Sequence, residues 1–589
     1  MIINALCDYY DILSQDGESC ISSFGYEKND FYYEIVLTED GGLSGIIPLV
    51  VNKKKDKPKS SIMPSSMKNS SIAASPVCDN MAYIFGVDGN KGENIINIQK
   101  FDSAKQLHLR MFQNAVSKEA VAIRRFFEQW DPKTAWENET IIAAASEKGN
   151  AFAGNAAFRL AGESRHFHDC DEIKDIWLNE NKRLAAEEGE YSAQCSITGE
   201  YLPIARLHTQ LRGVKGALST GALLVCFKKD ADQSYNLSQS YNSRVSEAAM
   251  FKYTTALQHL LDSSKNKLYI GDDTVIFWAC SPDKSYENIA YALFAGGRGG
   301  DDGKNGGDII VDKDSEETIK SVLEHGRKGV PMLPKIDADV RFYVLGLAPN
   351  SKRISVRYFH QSSFGGFCEM ISRYYDDTRI SGRHNHIRVR DLIWSTINTK
   401  SKEKKANPLL GGAVMRAMLS GGDCPRLLLS QVILRVKAET SVTQARAAAI
   451  KLYLKRNKKE EWLSMALNAE SRNIPYVLGR AFALLEKMQR DAAEVKLNTT
   501  IKDRYFASAC SNPVLVFPSL IKLAQHHLPK LSGNYLNNEL QKCLALVEGE
   551  TFPKAQNMEQ QGSFILGYYQ QNAKLYEKRE DIANGSDQE

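Results

Sequence analysis

Lysine and arginine residues are concentrated in one part of the sequence, and basic side chains of this kind bind polyanions. Residues 351–460 contain 22 Lys and Arg against 8 Asp and Glu, a formal charge of +14. Because the whole chain carries +4, the remaining residues carry −10. A basic window in an otherwise acidic chain predicts a localised site for a polyanion such as nucleic acid. The alternative is a solvated face whose charges pair with acidic residues elsewhere in the fold.

Four lysines within this window recur at the spacing of one helical face. They are Lys451, Lys455, Lys458 and Lys459, opposite the apolar Ile450, Tyr453 and Leu454. Like charges on one helical face repel one another unless an anion neutralises them. The pattern therefore predicts contact with a phosphate backbone, which carries no base specificity. A solvated helix face is the alternative.

Catalytic and metal chemistry find little support in the sequence. The glycine-rich Gly296–Asp308 is not a Walker loop, because Asn305 stands where a Ser or Thr must bind magnesium, and we interpret it as a flexible insertion. His166 and His168, beside Asp169, could ligate a metal, but a solvated loop is the favoured interpretation. We therefore expect no catalytic residue, no metal ligand and no cofactor.

The cysteines and the hydropathy pattern bear on the cellular compartment. Eleven cysteines are scattered without a Cys-x-x-Cys pair, which favours small buried hydrophobic residues in a reducing compartment. Met1–Tyr10 lacks the basic flank and long apolar run of a secretory signal, and no apolar stretch is long enough to span a membrane. We expect a cytoplasmic protein without a membrane partner.

The periodicity of apolar residues predicts an α+β fold. The mixed N-terminal region is expected to hold a hairpin from Phe31–Thr38 and Gly45–Val51, a mobile loop at Lys53–Ser75, a helix at Lys105–Trp130, and strands at Thr274–Ala279, Arg341–Leu347 and Ser351–Phe359. In the last strand, Arg353, Ser355 and Arg357 are expected opposite Ile354, Val356 and Tyr358. After residue 406 the period is helical. We predict an α+β region with antiparallel β segments over 1–405 and an α-helical bundle over 406–589.

Several segments, in the same order from end to end, resemble the large subunit of the type I-C CRISPR surveillance complex, the Cascade of that subtype. They are Met1–Tyr10, Cys78–Asp88, Cys195-Ser-Ile-Thr-Gly-Glu with His208, Val245–Leu257, Thr274–Ala279, Tyr343–Arg357, Asn512-Pro513, His526-His527 and Glu559–Gln570. The glycine-rich insertion is a departure about which the resemblance implies nothing.

The resemblance implies a role in which guide RNA pairs with target DNA. The large subunit recognises the protospacer-adjacent motif in double-stranded DNA, helps to form the R-loop and binds the displaced strand, while a recruited helicase–nuclease cleaves. Implied partners are the guide crRNA, the subunit that processes crRNA and holds its 5′ handle, the repeated backbone subunit and a small subunit. The C-terminal bundle is similar to that small subunit, which is expected as an internal translation product, by hypothesis from near Met465.

Candidate contacts follow from residue chemistry within this role. For reading the flanking motif we expect Lys68, Asn69, Ser70, Ser71 and Asn80, because Asn and Ser hydrogen bond to base edges while Lys anchors phosphate. A plain linker is the alternative for that loop. For the nucleic-acid backbone we expect Arg212, Lys215, Lys352, Arg353, Arg357, Lys451, Lys455, Lys522 and His526. The rival functions are a nuclease or RNA-processing enzyme with a non-standard site, and a stand-alone single-strand-binding protein.

Overall fold

Two compact units make up the fold. A computed structural model describes residues 1–16, 21–50, 57–64, 72–88, 95–146, 152, 154–187, 191–227, 230–295, 321, 336–382, 386–398, 400–493, 497–547 and 551–577. The first unit comprises Met1, Ile3–Thr209 and Val225–Ala256, and the second comprises Ile2, Gln210–Leu224 and Leu257–Glu589. The second unit thus contains residues on both sides of the division expected at 405/406, which stays a prediction.

The first unit is built around a five-stranded mixed sheet. Its elements are α1 (Ile2–Gln15), β1 (Tyr26–Leu37), β2 (Leu43–Pro48), β3 (Lys59–Pro64), β4 (Cys78–Asn80), α2 (Met81–Ile84), β5 (Val87–Asp88), β6 (Ile95–Ile96), α3 (Ile98–Met111), α4 (Lys118–Gln129), α5 (Glu139–Ser146), β7 (Asn155–Leu160), α6 (Asp171–Glu187), β8 (Ser192–Gln194), β9 (Tyr201–Pro203) and α7 (Glu247–Asp262), which continues into the second unit. The sheet order is β2-β1-β7-β4, with β3 also paired to β1.

The predicted hairpin is confirmed, but the prediction of a loop after it is partly wrong. Strands β1 and β2 pair antiparallel, with Ile35 opposite Ile46. Within the segment expected to be a loop, β3 pairs antiparallel with β1, and its Met63 is fully buried. The low overall apolar content of Lys53–Ser75 concealed one short strand, because two adjacent apolar residues are enough to anchor it to a partner that is already in place.

The single helix expected at Lys105–Trp130 is two helices, α3 and α4. The chain leaves α3 at Phe112, and Val116, near the middle of the predicted helix, is 84% exposed. At the start of α4 the backbone N–H groups of Val116 and Ser117 donate to the Glu172 carboxylate at 2.7–3.2 Å. A carboxylate from a distant part of the chain therefore caps the second helix, which local periodicity could not indicate.

A four-stranded antiparallel sheet and a set of helices form the second unit. The strands, in the order β10-β11-β12-β13, are β10 (Lys267–Ile270), β11 (Asp273–Ala279), β12 (Arg341–Asn350) and β13 (Arg353–Ser363). The helices are α8 (Ser285–Ala295), α9 (Phe364–Thr378), α10 (Val389–Ser395), α11 (Leu410–Ser420), α12 (Arg426–Glu439), α13 (Gln444–Lys458), α14 (Ile474–Asp491), α15 (Ile501–Ser511), α16 (Pro513–Gln525), α17 (Tyr535–Ala545) and α18 (Met558–Leu575). Val275, Phe277 and Val344, on one sheet face, share a buried cluster with these helices.

The α+β fold class is confirmed by these elements. Strands lie in the N-terminal part, and in the described residues after 406 the regular elements are helical. Eight of the ten described cysteines are buried and none of the ten forms a disulfide, which agrees with the interpretation of cysteine as a small buried side chain. No helix in the described ranges is long and apolar enough to cross a membrane.

Two glycines bring α14 and α18 into backbone contact. A Cβ atom at Gly479 would lie 2.0 Å from the carbonyl oxygen of Phe564, and one at Gly567 would lie 2.0 Å from that of Tyr476. Glycine is therefore the only residue that fits at either position unless one of the helices moves. Both glycines are buried within the helical core, where Phe482, Phe506 and Phe564 pack edge to face.

Replacing Gly479 by Ala should destabilise the second unit. The new methyl group clashes with backbone rather than with a movable side chain, so we expect a loss of about 3 kcal/mol, the upper part of the usual overpacking range. The measurement is urea unfolding followed by far-UV circular dichroism. Gly45→Ala is the control, because nothing lies within 4 Å of its Cβ position. Equal midpoints for the two variants would contradict the close helix contact.

His108 is held in its neutral form inside the first unit. Its Nδ1 lies 2.7 Å from the Ala104 carbonyl oxygen, and the Val77 N–H donates to its Nε2 at 3.2 Å. Since one ring nitrogen donates and the other accepts, protonation would set two N–H groups against each other. Burial lowers the pKa of His108 to about 4, and burial also lowers the pKa values of His168 and His208 to about 4.

Stability should therefore fall as the pH drops from about 6.5 to about 4. In that window the unfolded chain binds protons at these three histidines, whose unperturbed pKa is about 6.5, while the folded chain does not. The urea midpoint should be lower at pH 5 than at pH 7.5. His108→Gln, which cannot titrate but can donate and accept, should make the dependence shallower. A pH-independent midpoint for the native chain would refute this account.

Candidate nucleic-acid interface

Residues 211–224 cross one end of the four-stranded sheet. The β10–β11 turn and the β12–β13 turn both lie at this end, because the strands are antiparallel. The Lys215 N–H donates to Thr274 Oγ1 (3.0 Å) beside the first turn, and the Leu223 N–H donates to the Lys352 carbonyl (3.0 Å) in the second. The segment is thus fastened to both turns.

Three glycines allow this segment to follow its tight path. Gly213, Gly216 and Gly221 have φ of +92°, +77° and +108°, a region that residues with a Cβ rarely adopt. Leu211 and Ala222 close the loop by exchanging two backbone hydrogen bonds of 2.8 and 2.9 Å. The backbone positions from which the intervening side chains project are consequently fixed, unlike those of a free loop.

Arg212 and Lys215 are the two cations of this loop, and both are exposed. The Arg212 backbone N–H donates to Gln258 Oε1 (2.9 Å), while its guanidinium has no hydrogen-bond or ion-pair partner in the described part of the chain. Lys215 Nζ donates to the Gly271 carbonyl (3.0 Å), which uses one of its three N–H groups. Both side chains can therefore bind an anion without breaking an internal ion pair.

Lys352 and Arg353 enter the same end of the sheet from the β12–β13 turn. Ser351 has a φ of +57°, and the exposed Lys352 follows it. The ammonium group of Lys352 has no partner among the residues that the structure describes. Arg353 opens β13, opposite Asn350, and is half-buried.

Arg357 lies on a β-bulge next to a buried carboxylate. Tyr358 pairs with Gly346 and Val356 with Leu347, so that Arg357 is an extra residue in β13. The bulge puts Tyr358 on the same face of the sheet as Gly346. The expectation that Tyr358 and Val356 share a face is therefore wrong: Tyr358 is buried, whereas Val356 is 41% exposed.

Asp273 is the partner of this arginine. Arg357 Nε lies 3.6 Å from Asp273 Oδ1, and Asp273 is completely buried. Burial raises the pKa of Asp273 to about 6, against the opposing effect of Arg357. Neither carboxylate oxygen accepts a hydrogen bond from the described residues. The charge of Arg357 is thus partly offset from within the fold, unlike that of Arg212 or Lys352.

We call Arg212, Lys215, Lys352, Arg353 and Arg357 the sheet-end cluster. Five of the nine predicted backbone contacts, from segments about 140 residues apart, thus meet at one end of one sheet. Residues 210–224, 265–274 and 351–358, which form this end, contain seven Lys and Arg against two Asp. The excess of positive charge is consistent with a site for a polyanion.

Three lysines on one face of α13 have partners within the fold. The prediction that this face is uncompensated and needs an external anion is therefore wrong in its premise. Lys451 is 3% exposed, its Nζ donates to the Arg379 carbonyl, and burial lowers its pKa to about 8. Lys455 Nζ lies 2.9 Å from Asp377 Oδ1, and Lys458 Nζ lies 3.7 Å from a Glu559 oxygen. Acidic residues distant in sequence thus pair with Lys455 and Lys458, as in the alternative given for the basic window as a whole. In this conformation Lys451 cannot reach a phosphate.

Asp377 is the centre of this compensation. Its second oxygen accepts a hydrogen bond from Arg456 Nε at 2.8 Å, and Arg456 is buried (8% exposed). The same guanidinium donates to the Ala417 carbonyl at 2.6 Å. One carboxylate on α9 thus holds a lysine and a buried arginine of α13.

Lys522 and His526 lie on exposed positions at the end of α16. Neither side chain has a hydrogen-bond or ion-pair partner in the described ranges, and their contact with nucleic acid stays a prediction. Asn512 precedes Pro513 at the start of this helix, but its side chain does not cap the helix. The Asn512 Nδ2 group donates instead to the Lys554 carbonyl at 2.8 Å.

Of the residues expected to read the flanking motif, only Asn80 is described. Lys68, Asn69, Ser70 and Ser71 lie outside the described residues, as does Gly296–Asp308. Asn80 ends β4, and its Oδ1 accepts the N–H of Ala82 at 3.1 Å, which caps α2. One oxygen of this side chain therefore has a structural role, and its amide N–H groups are the atoms that remain for a base edge.

His166 and His168 do not lie in a solvated loop, and that interpretation is wrong. They are 5% and 1% exposed, and their Nε2 atoms lie 3.0 Å from Glu34 Oε1 and 2.9 Å from Ser61 Oγ. Together with Asp169 they offer ligand atoms within 4.8 Å of one another, which could hold a metal ion. The hydrogen bonds also give both rings a structural role without one.

The sequence reasoning missed the acidic residues and the aromatic residue that belong with these cations. Asp273 and Asp377 were counted in the charge balance, but their partners are 84 and 79 residues away. Tyr269, beside Lys215, was not considered. Its signal was present in Lys265-Asn-Lys-Leu-Tyr269, where an aromatic residue alternates with lysines at strand spacing.

Comparison with protein-family models places the chain in one family. The sequence matches the family model described as CRISPR-associated protein (Cas_Csd1) over residues 6–576, nearly the whole chain. The chain belongs to this family of CRISPR-associated proteins. The match supports a large-subunit assignment within a CRISPR system. A search of curated proteins found no match.

Asp377→Asn should destabilise the second unit strongly. Removal of the carboxylate charge leaves Arg456 as a buried cation without a counterion, for which the expected cost is about 3 kcal/mol. Urea unfolding at pH 7.5 measures it. Asp423→Asn is the control, because Asp423 is an exposed acid in the same unit. An unchanged midpoint for Asp377→Asn would show that α13 does not need this compensation.

Proposed function

We propose that this protein is the non-catalytic large subunit of a type I-C Cascade and acts in the cytoplasm in antiviral defence. It recognises the protospacer-adjacent motif in double-stranded DNA, promotes R-loop formation and binds the displaced strand. Its partners are the guide crRNA, the 5′-handle and crRNA-processing subunit, the repeated backbone subunit, the small subunit and a recruited helicase–nuclease. Membership of the family supports the CRISPR context.

The observation that carries the proposal is the convergence of the sheet-end cluster. Cations that share no local sequence are brought together by strand pairing and by the hydrogen bonds of residues 211–224. The side-chain charges of Arg212 and Lys352 have no internal partner in the described residues, whereas Lys455 and Arg456 are both paired with Asp377. Cations that are preorganised and uncompensated gain free energy from a phosphate backbone through counterion release.

Backbone contact and motif reading are separate parts of the proposal. Phosphate contacts hold a duplex in register but carry no sequence information, so they suit opening and retention of DNA. Motif reading is assigned to Asn69, Ser70, Ser71 and Asn80, whose amide and hydroxyl groups match the hydrogen-bonding edges of bases, with Lys68 as the anchor on phosphate. Lys522 and His526 are assigned to the displaced strand.

A charge reversal of Arg212 and Lys352 should weaken DNA binding by the assembled particle. We expect Arg212→Glu/Lys352→Glu to lower affinity for a matching target at least about tenfold. The slope of log affinity against log salt should also fall by about two, because each of the two side chains neutralises one phosphate. The measurement is filter binding at several salt concentrations with guide RNA and all subunits present.

Lys133→Glu/Lys554→Glu is the matched control, since both lysines are exposed and the change in net charge is identical. Equal affinities and salt slopes for the two double variants would overturn the assignment of the sheet end to DNA.

The second candidate function is a nuclease or RNA-processing enzyme with a non-standard site. The observation in its favour is the group His166, His168 and Asp169, which could hold a metal ion. Incubation of the purified full chain with DNA or crRNA precursor and Zn²⁺, Mn²⁺ or Mg²⁺ distinguishes the two. Cleavage that is lost in His168→Gln would establish the enzyme, whereas binding without cleavage supports the proposal above.

A further inference from the structure

Tyr269 lies at the sheet end and is exposed. It belongs to β10, an edge strand, and pairs with Thr274, the residue whose Oγ1 accepts the Lys215 N–H. The side chain of Tyr269 is 41% exposed, whereas Thr274 is completely buried. An aromatic ring at this position therefore contributes much of its surface to solvent rather than to a core.

Two lysines lie near this ring. The ammonium groups of Lys215 and Lys267 lie 5.8 and 5.9 Å from the ring centroid of Tyr269, near the outer limit of cation–π contact. Each ammonium is anchored to a backbone carbonyl, Lys215 to that of Gly271 and Lys267 to that of Leu261. Because an ammonium group has three N–H donors, each lysine keeps donors for another anion.

An exposed aromatic ring near anchored cations is an arrangement that can bind unpaired nucleotides. A base stacks on the π face whatever its identity, while the adjoining phosphates bind the cations. Bases inside a duplex are stacked on one another and cannot reach such a ring without being unpaired. Duplex contact therefore needs the cations of the sheet end alone, whereas single-strand contact can also use the ring.

We propose that Tyr269 stacks on an unpaired base of a single nucleic-acid strand, with Lys215 and Lys267 bound to the neighbouring phosphates. This inference rests on the proposed function and assigns single-stranded nucleic acid to the sheet end. A protein partner is the less favoured occupant, because the surroundings of Tyr269 are cationic: residues 210–224, 265–274 and 351–358 carry seven basic and two acidic side chains.

The test compares single-strand and duplex binding by the full-length chain. The probe is an oligonucleotide that carries 2-aminopurine, whose fluorescence is quenched by stacking, at successive positions, free or annealed to its complement. We expect Tyr269→Ala to weaken single-strand binding about tenfold and to abolish the change in probe fluorescence on binding. Duplex affinity should stay within about twofold of the native value. Tyr269→Phe, which keeps the ring, should behave as the native chain and shows that the strand still folds.

The outcomes separate this inference from the proposed function. Tyr235→Ala is the control for loss of an exposed tyrosine, because Tyr235 is 94% exposed. If Tyr269→Ala binds the single strand as tightly as the native chain with the same fluorescence change, the stacking inference fails, even where Arg212→Glu/Lys352→Glu still weakens duplex binding. If the native chain binds neither probe, alone or in the assembled particle, the proposed function fails as well.

Discussion

The backbone hydrogen bonds between residues 211–224 and the end of the four-stranded sheet are the constraint on which the candidate interface depends. Without them, Arg212 and Lys215 would lie on a glycine-rich loop, and their entropy would oppose any fixed arrangement beside Lys352. Mutual repulsion among the cations also opposes the arrangement, although water weakens it at exposed positions. The contacts of Lys215 with Thr274 and of Leu223 with Lys352 hold like charges together before any ligand arrives.

Cations in this chain fall into two physical kinds that composition cannot separate. Arg456 and Lys451 are buried: Arg456 pairs with Asp377 and Lys451 donates to the Arg379 carbonyl, so both contribute to the fold. Arg212 and Lys352 are exposed and uncompensated within the described residues, so their charge is available to a ligand. Arg357 lies between the two kinds, since Asp273 offsets its charge without a hydrogen bond. The distinction depends on contacts distant in sequence.

Local patterns predicted local structure well. The β1–β2 hairpin, β11, β12 and the helices after 406 follow from periodicity and turn residues, because each depends on neighbours in sequence. The errors arise where the local structure depends on a residue distant in sequence. Glu172 caps the start of α4, and β3 is a strand because it pairs with β1. Glu34 and Ser61 hydrogen bond to the two buried histidines. The same reason explains the site. Arg212 and Lys352 were chosen for their charge, but only strand pairing shows that they are neighbours.

The contact between α14 and α18 limits how the second unit can move. Gly479 and Gly567 each face a carbonyl of the other helix, so a slide by one helical turn would oppose a larger residue to that carbonyl. Shear between packed helices, a common route of conformational change, is therefore blocked at this pair. Any rearrangement of the second unit must carry the two helices as one piece, with the hinges outside this pair.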